Sequence, residues 1–482
     1  MKSLACLLFS LLFLAACQSG QQPDPASRID MASYRQHIQV LSSDEFEGRL
    51  PASPGEEKTI TYLPGQFKKL DVSPGNGDRY FHTASLGTIT ANPNTHLGLR
   101  QGSKTFSYAY GTEAVFGTKR VQESIDVENS ELIFIGYGIV APEYGWNDYA
   151  GLDVSGKTVL MLINDPGFAT GDSALFTGKA MTYYGRWTYK FEEAARQGAA
   201  AALIIHQTAP ASYPWEVVQN GWSGKQFDQV SENGNADRCA IEGWVQEAVA
   251  KEMFDRAGLS MEEMLAQAAR PGFRAQAMKQ QVSVSIKNTL EKSTSHNVVA
   301  TIPGKTRPDE YILYTAHWDH FGIDTSLKGD QIYNGAVDNA TGTAALLELA
   351  AAFMATGGTD RSVVFLAVTA EEQGLIGSAY YAAQPIYPLA QTVAVINMDA
   401  LNVLGKMKDI MIIGYGNSEL DAYVEKYAAA QSRSVREDPT PEKGSYFRSD
   451  HFSFAKQGVP ALNAKSGIDH VVNGSDWTLE QQ

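Results

Sequence analysis

Three apolar runs in the second half of the chain each end in side chains that can bind a metal ion. The runs cover residues 311–316, 362–370 and 392–398. The polar residues that follow them are His317, Asp319, Glu371, Glu372 and Asp399. Short apolar runs of this kind are typical of buried strands. Because functional groups collect at the carboxyl ends of strands in an open α/β sheet, we expect these side chains to lie close together.

The segments around these runs predict the fold class. From Asn297 onwards, strand-like runs alternate with helical patterns, of which Leu346–Met354 and Leu420–Ala430 are the clearest. Such alternation predicts an α/β fold with a mostly parallel central sheet flanked by helices. The chain of 482 residues is also long enough for two or three domains.

The residue types favour zinc as the metal. Imidazole and carboxylate groups bind zinc, and a catalytic zinc site keeps one position open. A two-metal site needs a bridging carboxylate, terminal ligands and a free carboxylate that acts as a base. Neighbouring residues at a strand end point to opposite sides, so Glu372 can bind metal while Glu371 faces the water. Glu371 would then take a proton from that water and later pass it to the leaving amine.

The N-terminus predicts export and a lipid anchor. An apolar stretch from Leu4 to Ala16 follows Met1-Lys2 and is too short to span a bilayer, as expected for a signal peptide. The sequence Leu14-Ala15-Ala16-Cys17 is similar to a bacterial lipobox, which implies cleavage before Cys17 and lipidation of its thiol. A plain secretion signal with a chance cysteine is the alternative.

Charge and cysteine content exclude other classes of protein. The net charge is −15 and there is no basic run, so we expect no nucleic-acid partner. We expect no obligate protein partner either. The cysteines are Cys6, Cys17 and Cys239. Because the first would leave with the signal and the second would carry lipid, we expect no disulfide.

The motifs resemble those of a known enzyme family. In order and spacing, the segments 317–319, 334–339, 371–372 and 397–399 are similar to the motifs of the co-catalytic di-zinc aminopeptidases. Distant relatives of that family include glutamate carboxypeptidase II and the transferrin receptor. The resemblance implies that Asp338 bridges two zinc ions and that His317 and Asp399 complete one of the two sites. It also implies that Glu372 binds the second zinc, that Glu371 is the general base and that Asp319 orients His317.

The resemblance extends to the domain organisation. Phe46-Glu47-Gly48-Arg49 looks like an N-terminal signature of bacterial members, and residues 131–285 look like their inserted, β-rich protease-associated domain. The predicted units are a signal peptide (1–16), a lipidated tether (17–28), an N-terminal part of the peptidase unit (29–130), the insert domain (131–285) and the zinc peptidase catalytic domain (286–482).

One family ligand has no counterpart in this sequence. The second zinc should receive a histidine from a Tyr-His-x-x-x-Asp motif near the C-terminus, and no such motif occurs. We expect that the chain is C-terminally truncated and its second zinc site incomplete, or that His470 or His451 substitutes. His451 is also a candidate pocket residue, because Ser449-Asp450-His451 matches a family element close to the site. His320 either lines the pocket or is solvated.

Together these features predict a zinc-dependent exopeptidase. An aminopeptidase that hydrolyses N-terminal residues of peptides is favoured, and a carboxypeptidase or dipeptidase on the same centre is the alternative. An inactive receptor-like binding module is a rival from another class. The expected partners are peptide substrates and, through the lipid on Cys17, a membrane. The expected location is the cell envelope, at the outer membrane facing the periplasm.

Overall fold

The computed structural model describes residues 24–92 and 95–481. The predicted signal peptide and Cys17 therefore lie outside the described residues. Within the described ranges, no helix is long and apolar enough to cross a membrane. Cys239 is buried and its thiol is free.

The first described part supplies two capped helices. Its elements are α1 (Met31–Leu41), α2 (Pro54–Lys69), β1 (Ser73–Pro74) and β2 (Phe81–Ala91), with 3₁₀ turns at Pro25–Arg28 and Asp44–Arg49. The carboxylate of Asp30 accepts a hydrogen bond from the backbone N–H of Ala32 at 2.8 Å. Ser53 Oγ accepts one from Gly55 at 3.1 Å. These caps satisfy backbone donors that the first turn leaves free, so both helices begin there.

A second group of elements follows. Its strands are β3 (His96–Gln101), β4 (Lys104–Ala109), β5 (Ala114–Gly117), β6 (Ser124–Phe134), β7 (Val140–Ala141), β8 (Trp146–Asn147), β9 (Thr158–Leu162), β10 (Ala201–His206), β11 (Lys225–Gln229) and β12 (Ile241–Gln246). Its helices are α3 (Pro166–Thr170), α4 (Trp187–Arg196), α5 (Thr208–Ala211), α6 (Trp215–Gly221), α7 (Glu247–Ala257) and α8 (Met261–Ala268). Every residue of β9 and β10 is buried, as their apolar sequences indicate.

The last group contains the three apolar runs. Its strands are β13 (Gln276–Ile302), β14 (Arg307–His317), β15 (Gly322–Ile323), β16 (Ile332–Tyr333), β17 (Arg361–Val368), β18 (Thr392–Asn397), β19 (Asp409–Ile413), β20 (Ser434–Glu437) and β21 (Ala461–Ser466). Its helices are α9 (Thr341–Ala355), α10 (Ile376–Ala383), α11 (Leu420–Ala430), α12 (His451–Ala455) and α13 (Gly474–Gln481).

The long strand β13 takes part in two sheets. Its first half pairs with β3 on one side and β6 on the other, in the order β4-β3-β13-β6-β9-β10-β12-β5. Its second half lies between β2 and β17. The polar residues 291–295 lie inside this strand. The predicted division between residues 285 and 286 also falls within it, and the domain limits remain a prediction.

The second sheet confirms the predicted fold class. Its order is β11-β2-β13-β17-β14-β18-β21-β19-β20. The strands β17, β14, β18 and β21 pair in parallel, whereas β2, β13 and β19 pair antiparallel with their inner neighbours. The sheet is therefore mixed, with a parallel centre flanked by helices. That centre is the part that positions the candidate site.

We expect His82 and His206 to make the fold less stable when the pH falls below about 6.5, because burial favours the neutral form of both side chains. Burial lowers the pKa of His82 and of His206 below the usual 6.5. The unfolded chain takes up protons near pH 6.5 that the folded chain resists. Stability is therefore complete above that pH and falls below it, by up to about 1.4 kcal/mol per pH unit for each histidine.

Thermal melting across this pH range tests the expectation. His206→Gln should flatten the pH dependence, whereas His96→Gln should leave it unchanged because His96 is exposed. Equal slopes for the wild type and the His206 variant would contradict the explanation.

Candidate metal centre

The carboxyl ends of three neighbouring strands converge beside one loop. β14 lies between β17 and β18 and pairs in parallel with both. His317 is the last residue of β14, Glu371-Glu372 follows β17, and Asp399 follows β18. The turn before α9 adds Asp338. The structure thus brings together the residues that the sequence analysis selected as candidate ligands and base.

One donor group has the spacing of a zinc site. His317 Nε2 lies 3.0 Å from Asp338 Oδ1 and 3.7 Å from Asp399 Oδ1. With bonds of about 2.0–2.1 Å, two ligands of a tetrahedral zinc are about 3.3 Å apart. The side chain of His317 is buried, whereas that of Asp338 is half exposed. These three residues therefore fit a metal ion that is bound from the protein side and open towards solvent.

A second donor group includes a histidine that the sequence analysis did not select as a ligand. His320, Asp338 and Glu372 each offer a ligand atom within 4.8 Å of the others. His320 Nδ1 and Glu372 Oε1 are 2.6 Å apart and form a hydrogen bond. The sequence signal that could have identified His320 as a ligand was its position, since it lies three residues after His317 at the same strand end.

The two histidines proposed as substitute ligands lie elsewhere. His451 is fully buried, its ring packs 4.9 Å from the Tyr446 ring, and both of its nitrogens lack a hydrogen-bond partner among the described residues. The ring of His470 packs 4.9 Å from Trp477. Neither belongs to a donor group found in residues 24–92 and 95–481.

The electrostatics of the centre also fit a cation. Burial raises the pKa of Asp319 to about 6 and that of Asp450 to about 7. Burial and the charges of Asp450 and Asp399 raise the pKa of Glu371 well above its usual value. Burial opposes protonation of His317, yet the surrounding acidic groups raise its pKa well above 6.5. A divalent cation among these groups would neutralise this excess of negative charge.

Asp319 holds the Glu371-Glu372 pair through its carboxylate. Its two oxygens accept hydrogen bonds from the backbone N–H groups of Glu371 at 3.0 Å and Glu372 at 3.3 Å. His317 Nδ1 lies 3.2 Å from the backbone oxygen of Asp319 and 3.8 Å from its carboxylate. The expected orientation of His317 by Asp319 therefore involves the backbone carbonyl, while the carboxylate fixes the strand end that carries the candidate base.

Asp399 is held in its ionised form. Ser449 Oγ donates to Asp399 Oδ2 at 2.6 Å, and Lys465 Nζ lies 3.3 Å from the same oxygen. Burial opposes ionisation, but the nearby His317, the hydrogen bond from Ser449 and the charge of Lys465 outweigh it. They hold the pKa of Asp399 well below its usual range. An ionised carboxylate is the form that binds metal.

Asn339 connects the loop that carries Asp338 to the end of β18. Its Nδ2 donates to the carbonyl of Met398 at 3.0 Å. Its Oδ1 accepts hydrogen bonds from Gly342 at 3.0 Å and Ala400 at 3.2 Å. The hydrogen bonds fix the position of Asp338 relative to Asp399, although the two residues come from different elements.

Arg49 supports the structure of the centre. The sequence analysis placed this residue in the Phe46–Arg49 motif but assigned it no role. Its guanidinium is buried and donates to the carbonyls of Leu41, Trp318, Asn334 and Gly335 at 2.5–2.8 Å. Three of these carbonyls, those of Trp318, Asn334 and Gly335, lie in the segments that carry His317 and Asp338. The Phe46–Arg49 motif therefore locks two ligand segments together, and its buried positive charge offsets part of the acidic charge.

Two cavities open beside the centre, with volumes of about 490 and 680 Å³. Glu372 lines both, and Glu371 lines the larger one. Arg186, at the start of α4, and Arg448, just before α12, line both as well. The cavities are large enough for an organic ligand of a few residues.

A match to a known family accounts for this arrangement. Residues 297–478 match Peptidase family M28. The match covers every candidate ligand and the candidate base, and it confirms the family resemblance that the motifs indicated. The M28 region begins inside β13 and ends within α13.

Curated relatives match parts of the chain. Aminopeptidase NAALADL1 of Mus musculus is 38% identical over 125 residues, which is 25% of this chain and 15% of the relative. A glutamate carboxypeptidase 2 homolog of Caenorhabditis elegans is 30% identical over 210 residues, or 42% of this chain and 25% of the relative. A probable zinc metalloprotease of Pyricularia oryzae is 42% identical over 86 residues, or 18% and 17%. The chain thus spans a quarter or less of each relative.

Solved structures are similar over most of the chain but at low identity. An aminopeptidase from Aneurinibacillus sp. strain AM-1 is 21% identical with a TM-score of 0.49, covering 94% of this chain and 87% of that one. A zinc aminopeptidase from Bacillus subtilis is 18% identical with a TM-score of 0.42, covering 93% and 86%.

Proposed function

We propose that this chain is a zinc-dependent exopeptidase of the aminopeptidase type. The observation that carries the proposal is the donor group of His317, Asp338 and Asp399, with Glu371 Oε2 4.0 Å from His317 Nε2. A metal site with a free carboxylate beside it is the arrangement that metal-assisted hydrolysis requires. The match of residues 297–478 to Peptidase family M28 supports peptide bonds as the proposed substrate.

Zinc held by His317, Asp338 and Asp399 would supply a Lewis acid that polarises the scissile carbonyl and makes water more acidic. Glu371 takes the proton from the attacking water and delivers it to the leaving amine. Its buried position raises its pKa, which makes its carboxylate a stronger base. Asp319 keeps Glu371 in place through the backbone hydrogen bond.

The proposal includes a second zinc, shared through Asp338 and completed by Glu372 and His320. The 2.6 Å separation of His320 Nδ1 and Glu372 Oε1 is shorter than that of two ligands on one zinc. Binding therefore requires the imidazole and that oxygen to move apart by about 0.7 Å, or Glu372 to bind through its other oxygen. His320 lies closer to these donors than the two other candidate histidines.

A panel of chromogenic substrates tests the activity. We expect hydrolysis of free aminoacyl anilides, little hydrolysis of the same compounds with a blocked N-terminus, and loss of both with a chelator. Cleavage of blocked anilides alone would overturn the aminopeptidase assignment. Hydrolysis of N-blocked dipeptides with a free C-terminal carboxylate, without hydrolysis of the free anilides, would favour a carboxypeptidase. Metal binding with no turnover of any peptide would support an inactive binding module.

The cellular setting is proposed on the sequence alone. Residues 1–16 act as a signal peptide, Cys17 carries the lipid, and the protein lies at the outer membrane facing the periplasm. Residues 131–285 act as a protease-associated domain. Incorporation of labelled fatty acid into the wild type, but not into a Cys17→Ser variant, would support the anchor.

A further inference from the structure

Arg186 is a buried cation whose side chain has no hydrogen bond or ion pair among the described residues. Its side chain is 8% exposed, its Nε has no hydrogen-bond acceptor, and no ion pair reaches its guanidinium among the described residues. Other buried cations behave differently: Arg49 donates to four carbonyls, and Lys190 Nζ donates to the carbonyl of Tyr137 at 2.6 Å. Because an unpaired buried charge is costly, Arg186 calls for an external anion.

Arg448 provides a second cation beside it. Its guanidinium lies 5.6 Å from the centre of the Tyr213 ring and has no carboxylate partner within residues 24–92 and 95–481. Burial, together with the charge of Arg448, lowers the pKa of Arg186 to about 10, so both groups are charged at neutral pH. Two neighbouring like charges repel each other, and an anion bound between them would relieve that repulsion.

The two arginines face the same cavities as the candidate catalytic carboxylates. Both line the cavities of about 490 and 680 Å³, together with Glu372. The other cations that line these cavities are already paired with carboxylates: Lys119 with Asp228 at 3.4 Å, Lys225 with Glu291 at 2.6 Å, Arg238 with Glu242 at 3.6 Å and Lys456 with Glu192 at 3.0 Å. A ligand held by Arg186 and Arg448 would therefore reach from the cationic end of the cleft towards the acidic metal centre.

The charges also set the direction of such a ligand. Glu371 and Glu372 would attract the free amino group of a peptide and repel a carboxylate. Arg186 and Arg448 would do the opposite, and the planar guanidinium group matches a carboxylate in two parallel hydrogen bonds. A short peptide would thus bind with its N-terminus at the metal centre and its carboxylate at the arginines.

We propose that Arg186 and Arg448 form a carboxylate-binding subsite on the leaving-group side of the scissile bond, which selects short or acidic peptides. The inference rests on the proposed function. The carboxylate can be the C-terminal group of a dipeptide or tripeptide, or the side chain of an aspartate or glutamate. Both sources share the same chemistry, and different substrates distinguish them.

Steady-state kinetics of the full chain with zinc tests the subsite. The substrates are leucyl-p-nitroanilide, Leu-Ala, Leu-Ala amide and Leu-Glu amide. We expect KM for Leu-Ala to be about tenfold or more below KM for Leu-Ala amide, because a hydrogen bond to a charged group contributes a difference of that size. A low KM for Leu-Glu amide would assign the site to acidic side chains instead.

Variants show whether the arginines cause the preference. Arg448→Gln should raise KM for the carboxylate substrates by about tenfold, with a much smaller effect on kcat and on the anilide. Arg186→Lys keeps the positive charge but loses the planar guanidinium group, so it should give an intermediate increase in KM for the carboxylate substrates. Lys119→Met is the matched control in the same cavities, and should not change the ratio of the two KM values. Thermal melting verifies that each variant is folded.

The outcomes separate this inference from the proposed function. Equal KM values for Leu-Ala and its amide, or an equal effect of Arg448→Gln on the anilide and the dipeptide, would overturn the subsite while leaving the peptidase intact. If the wild type hydrolyses none of the substrates, the proposed function fails. Calorimetric binding of Leu-Ala and its amide then tests the subsite separately. The subsite predicts that the wild type binds Leu-Ala more tightly than its amide and that Arg448→Gln removes this difference.

Discussion

Replacing Glu371 with alanine should abolish hydrolysis while leaving the metal content unchanged. Without the carboxylate, no group at the centre takes the proton from water or returns it to the leaving amine. General acid–base groups of this kind contribute roughly 10²–10⁴-fold to the rate, so kcat should fall by that factor. The measurement is kcat for leucyl-p-nitroanilide together with the zinc content of the purified variant.

The zinc content of the variant distinguishes a general base from a metal ligand at position 371. Glu371 lies close enough to His317 and Glu372 to act as a ligand, since the three form a further donor group. If it were a ligand, zinc would be lost along with activity. Retained turnover would remove Glu371 from the mechanism altogether. Glu371→Gln should behave like the alanine variant, and Glu262→Ala, on the exposed face of α8, should have no effect.

Replacing Asp338 with alanine should remove both metal ions. Asp338 belongs to the donor group of His317 and Asp399 and to that of His320 and Glu372. Activity should fall to background, and zinc should no longer raise the melting temperature. For the wild type, zinc at 1,000 times its Kd would add about 4.1 kcal/mol of stability. Metal analysis and melting with and without zinc provide the measurement.

Graded variants test how the two sites are built. Asp330→Ala is the matched control for Asp338. The carboxylate of Asp330 has a local structural role, since it accepts a backbone hydrogen bond from Ile332 at 3.1 Å. His320→Gln can keep the hydrogen bond to Glu372 but is a poor zinc ligand, so it should lose one zinc and keep the other. His451→Gln should keep both. Loss of zinc in the His451 variant, with none in the His320 variant, would contradict the assignment of the second site.

The sequence predicted the central sheet because strand signals are local. Residues 311–316, 362–370 and 392–398 are apolar on both faces, and only a strand covered on both sides buries such a run. The structure places them in β14, β17 and β18. Parallel pairing then puts their carboxyl ends at one edge, so the convergence of His317, Glu371-Glu372 and Asp399 follows from the pattern.

The same local reasoning did not predict that the polar segment 291–295 is part of a strand. Its composition indicates a boundary, but the residues lie inside β13, where β2 pairs along one side. Strand formation there comes from backbone hydrogen bonds to a partner far away in sequence. Composition carries no record of such a partner, so the sequence did not show that this segment is part of a strand.

By itself, the sequence determined the α/β fold class, the candidate ligands and the candidate base. These depend on periodicity and on residue types at strand ends. Only the tertiary structure brought His320 to Glu372, Arg49 to the carbonyls of the ligand segments, and both Arg186 and Arg448 to the cavities beside the centre. These contacts join side chains from separate elements, and their distances depend on how the whole chain packs. Spacing along the sequence therefore cannot predict them.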